Sequence, residues 1–381
     1  MTGIYLDYNA TAPIRPEALA AASQAMAQGG NPSSVHAAGR AARAVVEAAR
    51  EQVAALIGAP ASTVIFTSGG TEANALAVES AVAAGSRRLL IGATEHDCVR
   101  ATAEAGAAIV ETWPVGADGV ADLDWLEARL QAWSPSDGRP FAALMLANNE
   151  TGVIQPIARA AALLRAADGW LHVDAVQAAG KIAFDSRDIG ADTLAIASHK
   201  IGGPTGVGAL TFGPRAVLSR RLHGGGQERG RRGGTENVSG VVGFGAAAQA
   251  ALRDLPHLEI QAAWRDEAAE RLAAQAGVTV FGQAAPRLPN TLCFAAPGYS
   301  SELQVMALDL DGVMVSAGSA CSSGKVKASP VLLAMGAGTL AGSAIRVSGG
   351  WATTAADWAR FADLWLAALE RQQSRRRVSA A

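Results

Sequence analysis

Cysteine is scarce in this 381-residue chain. There are three, Cys98, Cys293 and Cys321, and no two are spaced as Cys-x-x-Cys. That excludes a disulfide framework and a cysteine zinc site. An excess of either charge is also lacking: 32 Lys and Arg stand against 34 Asp and Glu, a net charge of −2. Nothing in that balance attracts nucleic acid or an anionic membrane. No uncharged apolar run is long enough to span a bilayer. The nearest, Gly240 to Leu252, is short and dominated by Gly and Ala, and reads as a packed helix. The start, Met1-Thr2-Gly3-Ile4-Tyr5-Leu6, has neither the basic nor the apolar region of a signal peptide. A cytoplasmic protein is expected.

What is present is a packed, alternating chain. Half of the residues are hydrophobic and 17% are charged, and the 42 glycines suit α/β architecture with tight strand-to-helix turns. The length suggests about two domains. Arg40 to Ile57 carries Val46, Ala49, Val53 and Leu56 at helical spacing and is stopped by Gly58 and Pro60. Short apolar runs predict strands at 64–67, 88–93, 142–147, 170–174, 193–198 and 207–212. Past Gly240 a long helical stretch reaches about Ala276. Strand-like segments at 291–294 and 313–315 then suggest a smaller α+β region. The basic end, with Arg375, Arg376 and Arg377, reads as a frayed, solvated tail.

Polar residues gather where the apolar runs stop: Thr71, His96, Asn149, Asp174 and Lys200. Open α/β sheets bind ligands beyond the carboxyl ends of their strands. Packing explains any one of these residues but not the recurrence. Lys200 follows Thr193-Leu194-Ala195-Ile196, and Asp174 with Gln177 follows another run. Most lysines after strands are surface lysines. An amine and a carboxylate at two strand ends, however, match the needs of pyridoxal phosphate: a Schiff-base lysine and an acid that keeps the pyridine nitrogen protonated. Ser68-Gly69-Gly70-Thr71 joins a strand to a helix, where backbone N–H groups can meet a phosphate, although the same turn can be a simple cap. His96 can stack on an aromatic ring and move protons, or be structural. His172 is read as core.

Three further segments stand out. The loop Gly224 to Asn237 has an Arg-Gly-Gly-like composition but no interleaved aromatics, so a rigid loop approaching a ligand is favoured over RNA binding. Cys321 lies in a Gly/Ser/Ala-rich loop with Lys325 and Lys327 close by, which favours the thiolate; Cys98 and Cys293 read as inert core. Arg346 is a charge inside a short apolar run, either a clamp for a carboxylate or a structural ion pair.

In order along the chain, Tyr5-Leu6-Asp7-Tyr8-Asn9-Ala10-Thr11, Asn31-Pro32-Ser33-Ser34-Val35-His36, Phe66-Thr67-Ser68-Gly69-Gly70-Thr71-Glu72, Asn148-Asn149-Glu150-Thr151-Gly152, His172-Val173-Asp174-Ala175, Ser198-His199-Lys200 and Gly318-Ser319-Ala320-Cys321 resemble the cysteine desulfurases of the class V aminotransferase group. The long cysteine loop is similar to the branch in which it is mobile. The resemblance implies a fold-type-I α/β enzyme with a mostly parallel sheet in a large domain, 15–255. A small α+β domain, 1–14 and 256–381, would carry the cysteine loop. It implies a homodimer that uses pyridoxal 5′-phosphate to convert L-cysteine to L-alanine, with persulfide forming on Cys321 for an acceptor such as an iron–sulfur cluster scaffold or a thiolation protein.

By that resemblance Lys200 carries the cofactor, Asp174 pairs with its ring nitrogen, Gln177 meets the ring hydroxyl and His96 stacks on the ring. Gly70, Thr71 and His199 hold the phosphate, Thr235 reaches the phosphate of the partner subunit, and Asn149 and Arg346 bind the substrate carboxylate. The sequence departs from the pattern twice. Ala197 stands where the family has a phosphate-binding serine, so either Ser198 is expected to substitute for it or the phosphate has one hydroxyl fewer, and Gly233 replaces a common serine. Selenocysteine lyase, another class V activity and a non-catalytic scaffold are the alternatives.

Overall fold

The computed structural model describes residues 3–318 and 328–380, with the side chains of 376–380 excepted. Its main sheet has seven strands in the spatial order Val64–Thr67, Gly208–Phe212, Thr193–Ala197, Trp170–Asp174, Phe141–Ala143, Arg88–Gly92, Ile109–Trp113. Gly208–Phe212 runs antiparallel to both of its neighbours; the other pairs are parallel. Every residue of the three central strands Phe141–Ala143, Trp170–Asp174 and Thr193–Ala197 is buried, because helices cover both faces. That is why these strands read as continuous apolar runs. The 142–147 run is a shorter strand than expected. Leu144 and Leu146 still donate their N–H groups to His172 and Asp174, but the chain then turns into Asn148 and Asn149.

The helix Ala37–Leu56 is capped by His36, whose ring nitrogen accepts from the Gly39 N–H, and it ends before Gly58 at φ 63°. The Gly/Ala-rich segment is the helix Val238–Arg253. A Cβ on Gly245 would lie 2.7 Å from that of Ala49, so small residues are what let the two helices approach. The helical stretch to Ala276 is two helices, the second being Leu255–Ala273, separated at Asp254 with Pro256 in the following first turn.

A second sheet, antiparallel throughout, runs Ser316–Ala317, Ala344–Ser348, Thr291–Ala295, Thr279–Val280. Ile4–Tyr5 pairs in parallel with Val313–Met314, so the 313–315 segment serves a different sheet from the residues that follow it. The core here is aromatic: Phe294 meets Trp365 edge-on at 5.0 Å, and Trp358 and Phe361 complete it. The expected frayed tail is instead part of the helix Ala355–Ala380, anchored by those same aromatics. Among the described residues no helix is long and apolar enough to cross a membrane.

Candidate active site

At the carboxyl edge of the main sheet lies a cavity of about 330 Å³. Gly70, Thr71, His96, Asn149, Asp174, Gln177, His199, Lys200 and Arg346 all line it. Five strand ends therefore converge, because strands that run in the same direction point their carboxyl ends the same way. The turn at Gly69 has φ 157°, and a Cβ on Gly208 would fall 2.5 Å from the Gly69 backbone, so only glycine allows the strand and turn to approach so closely. Gly70 and Thr71 then open the helix Gly70–Ala83, whose first N–H groups have no partner within the helix.

Lys200 follows Thr193–Ala197 in a short turn, and its Nζ donates to the carbonyls of Asn9 and Ala10, both at 2.7 Å. Asp174 ends its strand almost fully buried. Its Oδ1 accepts from the Val176 N–H at 2.9 Å and its Oδ2 from Asn74 Nδ2 at 2.7 Å. Burial pushes its pKa up, against the pull of these donors. Among the described residues it has no salt bridge, and the charges of His96 and Lys200 offset only part of the effect of its burial. A protonated pyridine nitrogen would supply a cationic partner, and the amine of Lys200 is at hand for an aldehyde: the residues fit pyridoxal phosphate.

His96 caps the helix Asp97–Ala105, its Nδ1 accepting from the Cys98 N–H at 3.1 Å, which places the proton of the neutral ring on Nε2. Burial and the nearby lysines lower the pKa of His199 to about 4, leaving the ring neutral, and its Nδ1 meets the Thr11 hydroxyl at 3.1 Å. Arg346, in the middle of Ala344–Ser348, makes the structural ion pair that the sequence allowed and also lines the cavity. Its Nη2 pairs with Asp7 at 2.7 Å and its Nη1 donates to the Asn149 carbonyl at 3.2 Å, while among the described residues its Nε has no partner.

This chain belongs to the class-V aminotransferase family. Residues 4–361 match that family, whose description is aminotransferase class-V. A cysteine desulfurase of Cereibacter sphaeroides is 42% identical over 367 residues, 94% of this chain and 93% of its own. Cysteine desulfurase IscS of Dictyoglomus turgidum is 36% identical over 93% and 91% of the two chains. The solved NifS-like protein from Rickettsia africae superimposes with TM-score 0.88 at 30% identity, covering 97% of this chain and 99% of that one. SspA, solved in complex with cysteine, gives 0.76 at 28% identity over 90% and 98%. Within the family the chain groups with the cysteine desulfurases, and the seven-stranded, mostly parallel sheet is the fold-type-I arrangement expected of them.

Not every expected site residue of this desulfurase is in the cavity. Ser198 is not. Successive residues at a strand end face opposite ways, so Ala197 lines the cavity while the Ser198 hydroxyl, fully buried and unpartnered, turns toward Gly203. The expectation that Ser198 replaces the family serine at the phosphate is therefore corrected. Thr235 is exposed and lines a different cavity with Ser68 and Arg232. Its loop is held by buried Glu228, which takes two hydrogen bonds from Arg50, at 2.7 and 3.0 Å, and one from the Phe66 N–H. Cys321 lies outside the described residues; Gly318, at the edge of that stretch, lines the cavity. Cys293 is fully buried, and burial pushes its thiol pKa far up, as fits an inert residue. Cys98 departs from the core reading: half-buried, it lines the cavity and accepts from Asn74 at 3.2 Å.

The sequence also left three residues unremarked. Asn9 accepts from Lys200 and Gln177 on its carbonyl and from Lys181 on its side chain, and it donates to Thr291 and the Asn149 carbonyl. Lys181, buried, also donates to Gln177 Oε1, which turns the Gln177 amide nitrogen toward Asn9. Asn74 stands one turn beyond Thr71 on the same helix, and that spacing is the signal that could have found it.

Proposed function

We propose that this chain is a pyridoxal-phosphate-dependent cysteine desulfurase that converts L-cysteine to L-alanine and takes the sulfur as a persulfide on Cys321. The observation that carries the reading is the placing of Lys200 and buried Asp174 on one cavity, in a chain whose relatives bear the name cysteine desulfurase and whose structural neighbour SspA was solved with cysteine. When bound, the cofactor supplies an electron sink for the bonds around the substrate α-carbon.

The protein does the rest. Lys200 would anchor the cofactor and, once displaced from it, its amine would carry the α-proton. Asp174 would keep the ring nitrogen protonated, and Gln177, its amide fixed by Lys181, would donate to the ring hydroxyl. His96 would face the ring and exchange a proton with the substrate thiol through Nε2. The amino end of the Gly70–Ala83 helix would hold the phosphate with neutral His199. Ala197 and buried Ser198 leave that phosphate one hydroxyl short, and Thr235 of a second copy contributes one, which requires a homodimer. Arg346 and Asn149 hold the substrate carboxylate, with Asp7 fixing the guanidinium. Cys321 attacks the substrate sulfur as a thiolate. An S–S bond forms, the C–S bond breaks, and its electron pair stays on the carbon that becomes the alanine methyl. The sulfur then passes in the cytoplasm to an acceptor protein such as a cluster scaffold. Residues 15–255 form the cofactor-binding domain, with 1–14 and 256–381 as the small one.

The test is L-cysteine with no keto acid added. Alanine and one persulfide per turnover are expected, together with a visible Schiff-base absorbance. Lys200→Ala should keep the fold and lose both the absorbance and the alanine. Alanine production at the normal rate by Lys200→Ala would overturn the assignment.

A further inference from the structure

Behind Asp174, a line of buried polar groups runs from the cavity-lining Asn74 across a helix and two strands. Trp170 Nε1 donates to the Thr193 hydroxyl at 3.0 Å, and that hydroxyl meets His172 Nδ1 at 3.0 Å. His172 Nε2 lies 2.8 Å from Asn74 Oδ1, and Asn74 Nδ2 donates to Asp174 Oδ2 at 2.7 Å. All are nearly or fully buried, with His172 and Trp170 at 0% and Asn74 and Thr193 at 1% exposure, so water does not mediate these contacts.

The direction of the line follows from its two ends. An indole is a donor only. The Thr193 oxygen therefore accepts from Trp170, which leaves its own proton available for His172 Nδ1. An ionised carboxylate is an acceptor only. Asn74 therefore turns its NH₂ toward Asp174 and its carbonyl toward His172, which must carry its proton on Nε2. The Asp174 end thus assigns the neutral tautomer of His172, and the Trp170 end is compatible with it. Burial, which lowers the pKa of that ring to about 3, keeps it neutral throughout the working range.

We propose that Asn74 is a positioning residue for Asp174: the relay Trp170–Thr193–His172 locks its amide in the one orientation that gives Asp174 a donor. A flipped amide would set two acceptors against each other at 2.7 Å. The lock keeps the carboxylate ionised despite its burial, as it must be to hold a proton on a ring nitrogen. This rests on the reading of Asp174 above.

Two measurements on the holoenzyme test it. In protein labelled with ¹⁵N-histidine, His172, assigned by the loss of its signals in His172→Gln, should be protonated on Nε2 alone from pH 6 to 9. A proton on Nδ1 overturns the proposal, and this measurement does not depend on a position-74 variant folding. With ¹⁵N-labelled pyridoxal phosphate, the wild type should show a protonated ring nitrogen. Asn74→Leu and Asn74→Asp should move that resonance toward the neutral form and weaken cofactor binding about ten- to a hundredfold, the worth of one hydrogen bond to a charged group. Asp174→Asn is the control. If it leaves the resonance unchanged, the reading of Asp174 is wrong and the relay falls with it. If Asp174→Asn moves the resonance but the position-74 variants only lower the melting temperature, the reading stands and the relay is wrong.

Discussion

Replacing Glu95 with glutamine should raise the thermal stability of the cofactor-free protein at pH 9, and at pH 6 by less than half as much. Glu95 is 7% exposed; its Oε1 accepts from the Met145 N–H and, among the described residues, its Oε2 has no partner. Burial, with repulsion from Asp174 added, pushes its pKa from 4.5 up to about 8. Between those values the folded protein binds a proton that the unfolded chain has released, so stability declines as pH rises through this window and levels off above about 8. At about 1.4 kcal/mol per tenfold in proton affinity, full ionisation costs roughly 4–5 kcal/mol. Glutamine imitates the protonated acid in size and hydrogen bonding and has nothing to ionise. For a chain of this length about 1 kcal/mol corresponds to about 1 °C in Tm, so the gain at pH 9 should be roughly 4–6 °C. Thermal unfolding of both proteins, followed by intrinsic fluorescence at pH 6 and pH 9, reads the difference directly. A Tm gap that stays the same at both pH values would mean that folded Glu95 is already ionised at pH 6, and would refute the raised pKa whatever the size of the gap.

Other outcomes follow from the same geometry. Arg346→Lys keeps the charge but loses the fork that meets Asp7 and the Asn149 carbonyl together; KM for L-cysteine should rise about tenfold or more while the Schiff-base absorbance is kept. Cys321→Ser should retain that absorbance and lose alanine and persulfide formation, whereas Cys293→Ser stays near wild type. Mass spectrometry after brief exposure to L-cysteine should place the extra sulfur on the Cys321 peptide, and a label on Cys98 or Cys293 would contradict the mechanism. Thr235→Ala should weaken cofactor retention about ten- to a hundredfold, measured by equilibrium dialysis, with no change in sedimentation.

The parts of this fold that the sequence announces are those in which one property dominates. Trp170–Asp174 and Thr193–Ala197 are buried on both faces, so their apolar runs are unbroken and their ends fall where expected. The edge strand Ile109–Trp113 is largely uncovered and contains Glu111, and no run marks it. Trp358, Phe361, Trp365 and Leu369 recur at helical spacing and bury one face of the last helix, which outweighs the basic triplet that suggested a tail. Site residues at strand ends were legible because parallel topology turns every such end to the same place. Asn9, Asn74 and Lys181 were not, since their roles depend on neighbours far away in sequence. Ser198 was misread by one step: an alternation that sends Ala197 to the cavity must send Ser198 elsewhere.

The way Asn9 is held has a bearing on the order of assembly. Its N–H donates to Ser348 Oγ, 339 residues away, and its amide donates to Thr291, 282 residues away, while its carbonyl accepts a hydrogen bond from Lys200. Part of what fixes the partner of this lysine thus comes from segments of the other sheet, far along the chain. Closing a loop of that length is slow, because chain entropy is lost before any contact repays it. The large sheet can gather its strands during synthesis from neighbours mostly a few dozen residues apart. A half-made chain would therefore hold a formed sheet and an Asn9 still without its bonds to Thr291 and Ser348, and the support around the lysine would be complete only when Ala344–Ser348 has been made and has paired.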